Sequence, residues 1–237
     1  MLLLTQGMTS LSFTILLLIL LSCIQYSNSL SITTISMSSR SRCNNKSVQF
    51  ITNKMCPFAQ KAWIALEVSQ TPYVLKEVSL YGTNGKPAWF MKFNPAGTVP
   101  VIETQDGSVY ADSELILDYV HEMSTLHSQE KNIDEAKVRK WRKKILQNII
   151  PIGKKAVLGG SKHDLFEILK ELDDEVEGPF LCGETVTIAD CAAFPFLWRI
   201  NDEFGLEEGS KLKNWLEVCE GTKCFKTTIH SSWWWWW

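Results

Sequence analysis

Strand signals in this sequence are confined to one stretch, and that confinement limits the fold more than any other feature. Ser47-Val48-Gln49-Phe50-Ile51, Tyr73-Val74-Leu75-Lys76-Glu77-Val78, Val101-Ile102-Glu103 and Ser108-Val109-Tyr110 are the β-type runs. The last two face each other across Gln105-Asp106-Gly107, where Asp-Gly is a strong hairpin signal. Helical patterns alternate with them. Ala62 to Leu66 follows the first run, Pro87 to Phe93 forms a short helix with Pro87 at its first position, and Asn94 to Thr98 is turn chemistry. Ser113 to Met123 closes the series, with Leu115, Ile116, Tyr119 and Val120 on one side. The order β-α-β-α-β-β-α predicts a small α/β domain with a mixed sheet over residues 47–123.

Beyond a polar linker at 124–132 the strand signals vanish. Val138, Trp141, Ile145, Ile149 and Ile152 recur at helical steps, and Pro151 is expected to kink or end that helix. Leu165, Leu169, Leu172 and Val176 mark a second helix. Thr187-Ile188-Ala189-Asp190 carries a capping signature ahead of an apolar helix through Trp198. Leu212, Trp215, Leu216 and Cys219 mark a further helix stopping near Gly221. Residues 133–230 therefore read as an all-α domain.

The chain ends differ in character from this body. Leu11 to Cys23 is an apolar run, short for a membrane span and sized for the core of a signal peptide, so residues 1–29 read as a signal-peptide-like leader. Its alternative is an uncleaved membrane anchor. Residues 30–46 are Ser-rich with Arg40 and Arg42, and no Asp or Glu precedes Glu67, the pattern of a transit segment; a plain linker is the alternative. Together they suggest entry to the secretory pathway and a two-part plastid leader, against a membrane-anchored or cytoplasmic protein. Residues 231–237, ending in five tryptophans, read as an unstructured tail without a role.

A net charge of −2 and the lack of a basic cluster interleaved with aromatics exclude a nucleic-acid electrostatic footprint. Outside the leader, Cys56, Cys182, Cys191, Cys219 and Cys224 are odd in number and scattered, which suits neither a disulfide framework nor a zinc site. The four histidines share no metal-ligand spacing, so no metal is expected. Free thiols point to a reducing compartment. Cys56 stands apart. It ends the first strand, and Pro57 suits the first position of the helix that follows. Unpaired N–H groups there favour an anion, so Cys56 is expected to ionise more readily than a free thiol and to act as a nucleophile.

These motifs resemble a glutathione transferase, with a thioredoxin-like N-terminal domain joined to a helical one, over about Val48 to Ile229. Cys56-Pro57-Phe58-Ala59 is similar to the active-site motif of the cysteine-type members, the omega class above all, with the lambda and dehydroascorbate-reductase classes near. Lys86-Pro87-Ala88-Trp89-Phe90, Asn94-Pro95-Ala96-Gly97-Thr98-Val99-Pro100-Val101 and Asp112-Ser113 stand where that family keeps its glutathione site. The resemblance implies glutathione as co-substrate, with Phe58, Lys86, Val99, Pro100, Asp112 and Ser113 binding it. Val99-Pro100 would be a cis turn presenting the Val99 backbone, Lys86 would meet the glycyl carboxylate, and the helix start at Asp112-Ser113 would take the γ-glutamyl end.

Phe194-Pro195-Phe196-Leu197-Trp198-Arg199 is similar to an omega segment, which would place Trp198 and Arg199 near a second-substrate pocket. A cysteine in this position implies a thiol transferase or dehydroascorbate reductase acting on a small oxidised or disulfide substrate. The resemblance leaves room for a homodimer, and for membrane contact only through an uncleaved leader. A chloride-channel-like membrane-inserting relative and a hydrophobic-ligand carrier are the rival readings.

Overall fold

The computed structural model describes residues 47–80, 85–127 and 133–230, all within one compact unit, Asn45–Trp237. The leader, the transit-like segment, the Trp-rich tail and linker residues 128–132 lie outside the described residues.

Four strands form one mixed sheet: β1 (Val48–Thr52), β2 (Tyr73–Glu77), β3 (Val101–Glu103) and β4 (Val109–Tyr110), in the order β2-β1-β3-β4. β1 pairs parallel with β2, Val48 opposite Tyr73, and antiparallel with β3, Phe50 opposite Ile102. The parallel pair requires a crossover, which α1 (Pro57–Val68) supplies. Successive strand residues face opposite sides of a sheet. Val48, Phe50 and Ile102 accordingly enter the main core, while Ile51 and Val101 join a smaller cluster with Ala59, Val78, Phe90 and Val99. The α/β order expected from the sequence is the one observed, through α2 (Ala88–Phe93) and α3 (Ser113–His127). Pro87 caps α2 rather than opening it, because its ψ of 140° is extended.

The helix at Ser113 corrects one boundary, since it runs through His127 rather than stopping at Met123. Polar Ser124 does not end it, because its hydroxyl returns to the Val120 carbonyl one turn back, at 2.8 Å. Pro151 does not end its helix, which is instead distorted just ahead of it. α4 (Glu135–Lys144) passes into a π turn, Ile145–Ile149, and then into α5 (Ile150–Val157). The widened turn lets the Ile150 N–H reach the Ile145 carbonyl just ahead of a proline that has no N–H to give. The helical path therefore continues through Pro151.

α6 (His163–Asp174), α7 (Ile188–Phe204), α8 (Lys211–Gly221) and α9 (Lys223–Lys226) complete the helical part. The capping box at Thr187 is present. Its Asp190 is fully buried and also accepts from the Leu181 N–H at 2.8 Å and the Trp215 indole at 2.9 Å. α7 outruns Trp198 to Phe204 with Pro195 inside it, and stops at Gly205, whose φ of 77° favours glycine. α1 lies between the sheet and α7 and is buried from Ala59 through Leu66. Its apolar side chains, Trp63, Ile64 and Leu66, contribute about 1.5–3 kcal/mol each to one core shared by both halves of the chain. Gln60 and Lys61 are buried with them, and buried polar groups must find partners.

Candidate active site

The turn from β1 into α1 is built by Asn53, whose side chain accepts from the Met55 N–H at 3.0 Å and donates to the Val78 carbonyl at 2.9 Å. This leaves Cys56 as the N-cap of α1, in extended conformation, with Pro57 first in the helix. Its thiol, half-buried, donates to the Val99 carbonyl at 3.9 Å. The Val99–Pro100 peptide is cis, as the sequence reading expects.

The expectation that Cys56 ionises more readily than a free thiol is overturned. Burial pushes the thiol above its ordinary value. The N–H groups of Ala59 and Phe58, and the charges of Arg199 and Lys61, pull it down without outweighing burial. The helix start does what its chemistry dictates; the loss of water around the sulfur is the larger effect.

Two cations lie under the site, both almost wholly enclosed: Lys61 is 1% exposed and Arg199 is 2% exposed. Burial lowers the Lys61 ammonium, against the attraction of Glu114, its salt-bridge partner on α3. Glu114 also holds Arg142 of α4 at 2.7 Å, and Arg142 reaches Asp118 at 2.6 Å. Burial alone would raise the Glu114 carboxyl, but Lys61 and Arg142 hold it below the usual carboxylate range. Arg199 instead donates to neutral acceptors, the Gln60 side-chain carbonyl at 2.6 Å and the Pro195 carbonyl at 2.7 Å.

The other expected residues fall around this centre. Asn94, buried, pins the turn before the cis peptide by donating to the Thr98 carbonyl at 2.8 Å. Lys86 lies across that turn: a Cβ on Gly97 would sit 2.8 Å from the Lys86 Nζ, and the φ of 63° at Gly97 favours glycine independently. Asp112 is exposed and caps α3, accepting from the Glu114 N–H at 2.7 Å and the Leu115 N–H at 3.2 Å, while Ser113 is buried beside it. The charge of Asp112 is felt by Lys61, so the α3 start and the floor beneath Cys56 belong to one electrostatic neighbourhood.

The Phe58 ring packs edge-on to Phe196 of α7 with centroids 5.2 Å apart, and its backbone N–H bonds the Cys56 sulfur. Trp198 and Arg199, expected beside a second-substrate pocket, both stand on α7. The Trp198 indole donates to Glu220 of α8 at 2.8 Å, and Arg199 is enclosed by α1 and α7 rather than lining an open wall. Gln60, Lys61 and Thr228 are the residues that sequence reasoning missed. The signal was available in Gln60-Lys61, a polar pair between Pro57-Phe58-Ala59 and the apolar run Ala62 to Leu66. Among the described residues no cluster of three or more His, Cys, Asp or Glu could hold a metal ion.

Residues 55–123 match the family described as glutathione S-transferase, N-terminal domain, and residues 162–218 the one described as glutathione S-transferase, C-terminal domain. The chain is 30% identical to glutathione S-transferase DHAR2 of Arabidopsis thaliana over 164 residues, 68% of this chain and 71% of that protein. It covers 58% of the longer chloroplastic DHAR3 of the same plant, also at 30% identity. Against glutathione S-transferase omega-1 of Mus musculus the identity is 25% over 190 residues, 73% of this chain and 76% of that one. Among solved structures, glutathione transferase Omega 3C from Trametes versicolor superposes with a TM-score of 0.69 at 25% identity, covering 79% of this chain and 90% of that chain. With both halves of the chain matched and a relative aligned over most of its own length, this chain belongs to the glutathione transferase family, near its omega and DHAR members.

Proposed function

We propose that the protein is a glutathione-dependent thiol transferase or dehydroascorbate reductase in which Cys56 carries the reaction. The observation that carries the reading is the position of Cys56, at a helix start, against the backbone of Val99, above two buried cations. The names of the DHAR and omega relatives support it. Glutathione lies with its cysteinyl part along the Val99 backbone, its glycyl carboxylate toward Lys86 and its γ-glutamyl end at the N-terminus of α3, where Ser113 and Asp112 stand.

The thiol first loses its proton to solvent. The Cys56 thiolate then attacks the glutathione sulfur of a mixed disulfide. The substrate thiolate leaves and is protonated, and a Cys56–glutathione disulfide remains. A second glutathione thiolate attacks that disulfide at the glutathione sulfur, releasing oxidised glutathione and restoring Cys56. With dehydroascorbate, Cys56 adds to a carbonyl carbon and glutathione attacks the Cys56 sulfur. The two electrons of that bond go to ascorbate and the same disulfide is left. No C-x-x-C partner exists, so resolution is monothiol. The chloroplastic name of the DHAR3 relative agrees with delivery to a plastid through the leader.

The test is turnover of hydroxyethyl disulfide, dehydroascorbate and a chloronitrobenzene by the leaderless protein and its Cys56→Ser variant. The first two compounds are expected to be reduced and the variant to lose both activities, because a hydroxyl cannot form the disulfide. Full thiol transfer by Cys56→Ser would sink the reading and move the search to Cys182, Cys191, Cys219 and Cys224.

A further inference from the structure

Arg199 places a charge where the fold offers it no carboxylate. Its guanidinium is enclosed, its Nη1 bonds only the neutral Gln60 and Pro195 oxygens, and its Nε has no hydrogen-bond partner. The Trp198 ring also lies 5.3 Å from the guanidinium, but a buried cation without a carboxylate partner is costly unless an anionic centre meets it. The acidic groups that reach Arg199 electrostatically are the Cys56 sulfur and Asp202, and Asp202 is exposed to solvent.

The geometry around Arg199 is fixed from a distance. Gln60 sits one turn after Cys56 on α1, its N–H on the Cys56 carbonyl at 2.9 Å, so it rises from the same helix face. The Gln60 amide is held at both ends. Its oxygen accepts from Arg199, and its nitrogen donates to the Thr228 carbonyl at 3.2 Å and hydroxyl at 3.3 Å. Thr228 is itself buried, in the segment after α9.

We propose that Arg199 is the buried counter-charge of the Cys56 thiolate, a positioning residue held in place by the Gln60–Thr228 clamp. The proposal rests on Cys56 being the reacting group. When the thiol gives its proton to solvent, the negative sulfur gains the attraction of the Arg199 guanidinium, whose Nε–H is unused. Around Cys56 the other groups are Lys61 of α1, whose charge is met by Glu114 of α3, Asp112 at the start of α3, and the Val99 carbonyl. Of the two buried cations beneath Cys56, Arg199 is thus the one whose charge is not met by a carboxylate salt bridge.

The experiment is the pH profile of iodoacetamide alkylation at Cys56, followed by peptide mass mapping on the full chain, for wild type, Arg199→Met, Arg199→Lys and Gln60→Met. Arg199→Met is expected to move the profile to higher pH, with alkylation about tenfold slower on its rising limb for each pH unit of displacement. Arg199→Lys keeps the charge and is expected to stay close to wild type; Gln60→Met frees the guanidinium and is expected to fall between. Melting temperatures are read in parallel, since an apolar replacement of a buried charge does not by itself destabilise in proportion.

A wild-type profile in Arg199→Met, or an equal displacement in Arg199→Lys, overturns the proposal. If Arg199→Met does not fold, Gln60→Met decides, a displaced profile supporting the clamp and an unmoved one overturning it. Alkylation needs no glutathione, so a displaced profile in a protein without thiol-transfer activity would remove the proposed function and leave the Arg199 assignment standing.

Discussion

Lys86 and Ser113 reach the proposed glutathione position from two different elements, and they differ in what else they do. Lys86 is exposed on the loop before α2, whereas Ser113 is buried in the first turn of α3. Lys86→Ala and Ser113→Ala are each expected to weaken glutathione binding by roughly 1–3 kcal/mol, measured by titration calorimetry. The melting temperature should hold at Lys86→Ala; unchanged affinity in both variants would show the site to be elsewhere. Individual residues were legible where chemistry is local. Cys56-Pro57, Val99-Pro100 and Asp112-Ser113 each state their conformation within two positions of sequence. Gln60 and Arg199 are 139 positions apart, and Gln60 and Thr228 168, so no periodicity or motif links them. The Cys56 thiol shows the same limit: its helix start is local and was read correctly, while the burial that outweighs it is a property of everything packed around it.

Among the elements, α7 depends most on one side chain. Asp190 closes the capping box and satisfies the buried Leu181 N–H and Trp215 indole, tying the start of α7 to the preceding loop and to α8. Asp190→Ala takes the acceptor from four buried donors, the Leu181 N–H, the Thr187 N–H and hydroxyl and the Trp215 indole, and is expected to cost roughly 3–5 kcal/mol, read by urea denaturation. A loss of only a few tenths of a kcal/mol would show that water replaces the carboxylate there. The box itself was legible in Thr187-Ile188-Ala189-Asp190, because its bonds span three residues. The two longer bonds were not. The π turn before Pro151 was hidden for a different reason: apolar spacing at Ile145 and Ile149 is common to α and π turns, and the proline shows only that something must yield.

At the scale of the molecule, the sheet half and the helical half are joined by a shared apolar core and by the Lys61–Glu114–Arg142–Asp118 chain. Glu114 titrates below the usual carboxylate range, so its contribution to stability is complete above about pH 4.3 and is lost as pH falls through its lowered folded value. Glu114→Gln is expected to cost about 2 kcal/mol at neutral pH, short of the roughly 3–5 kcal/mol typical of a wholly buried pair, because Glu114 is partly exposed. It should also flatten the fall in melting temperature below about pH 4.3. An identical acid limb in both proteins would remove Glu114 from the account. A chain beginning at Arg42 retains every described element, since β1 starts at Val48, and is expected to fold and bind glutathione. Insolubility of that chain, with activity in detergent-extracted full-length protein, would identify the leader as an anchor.

The thiol that rests against the Val99 carbonyl also governs how the protein ages. Peroxide attacks sulfur mainly as the thiolate, and burial at Cys56 disfavours that form. Cys56 is therefore expected to pass to irreversible sulfur acids more slowly than a free thiol under the same peroxide, read by peptide mass mapping.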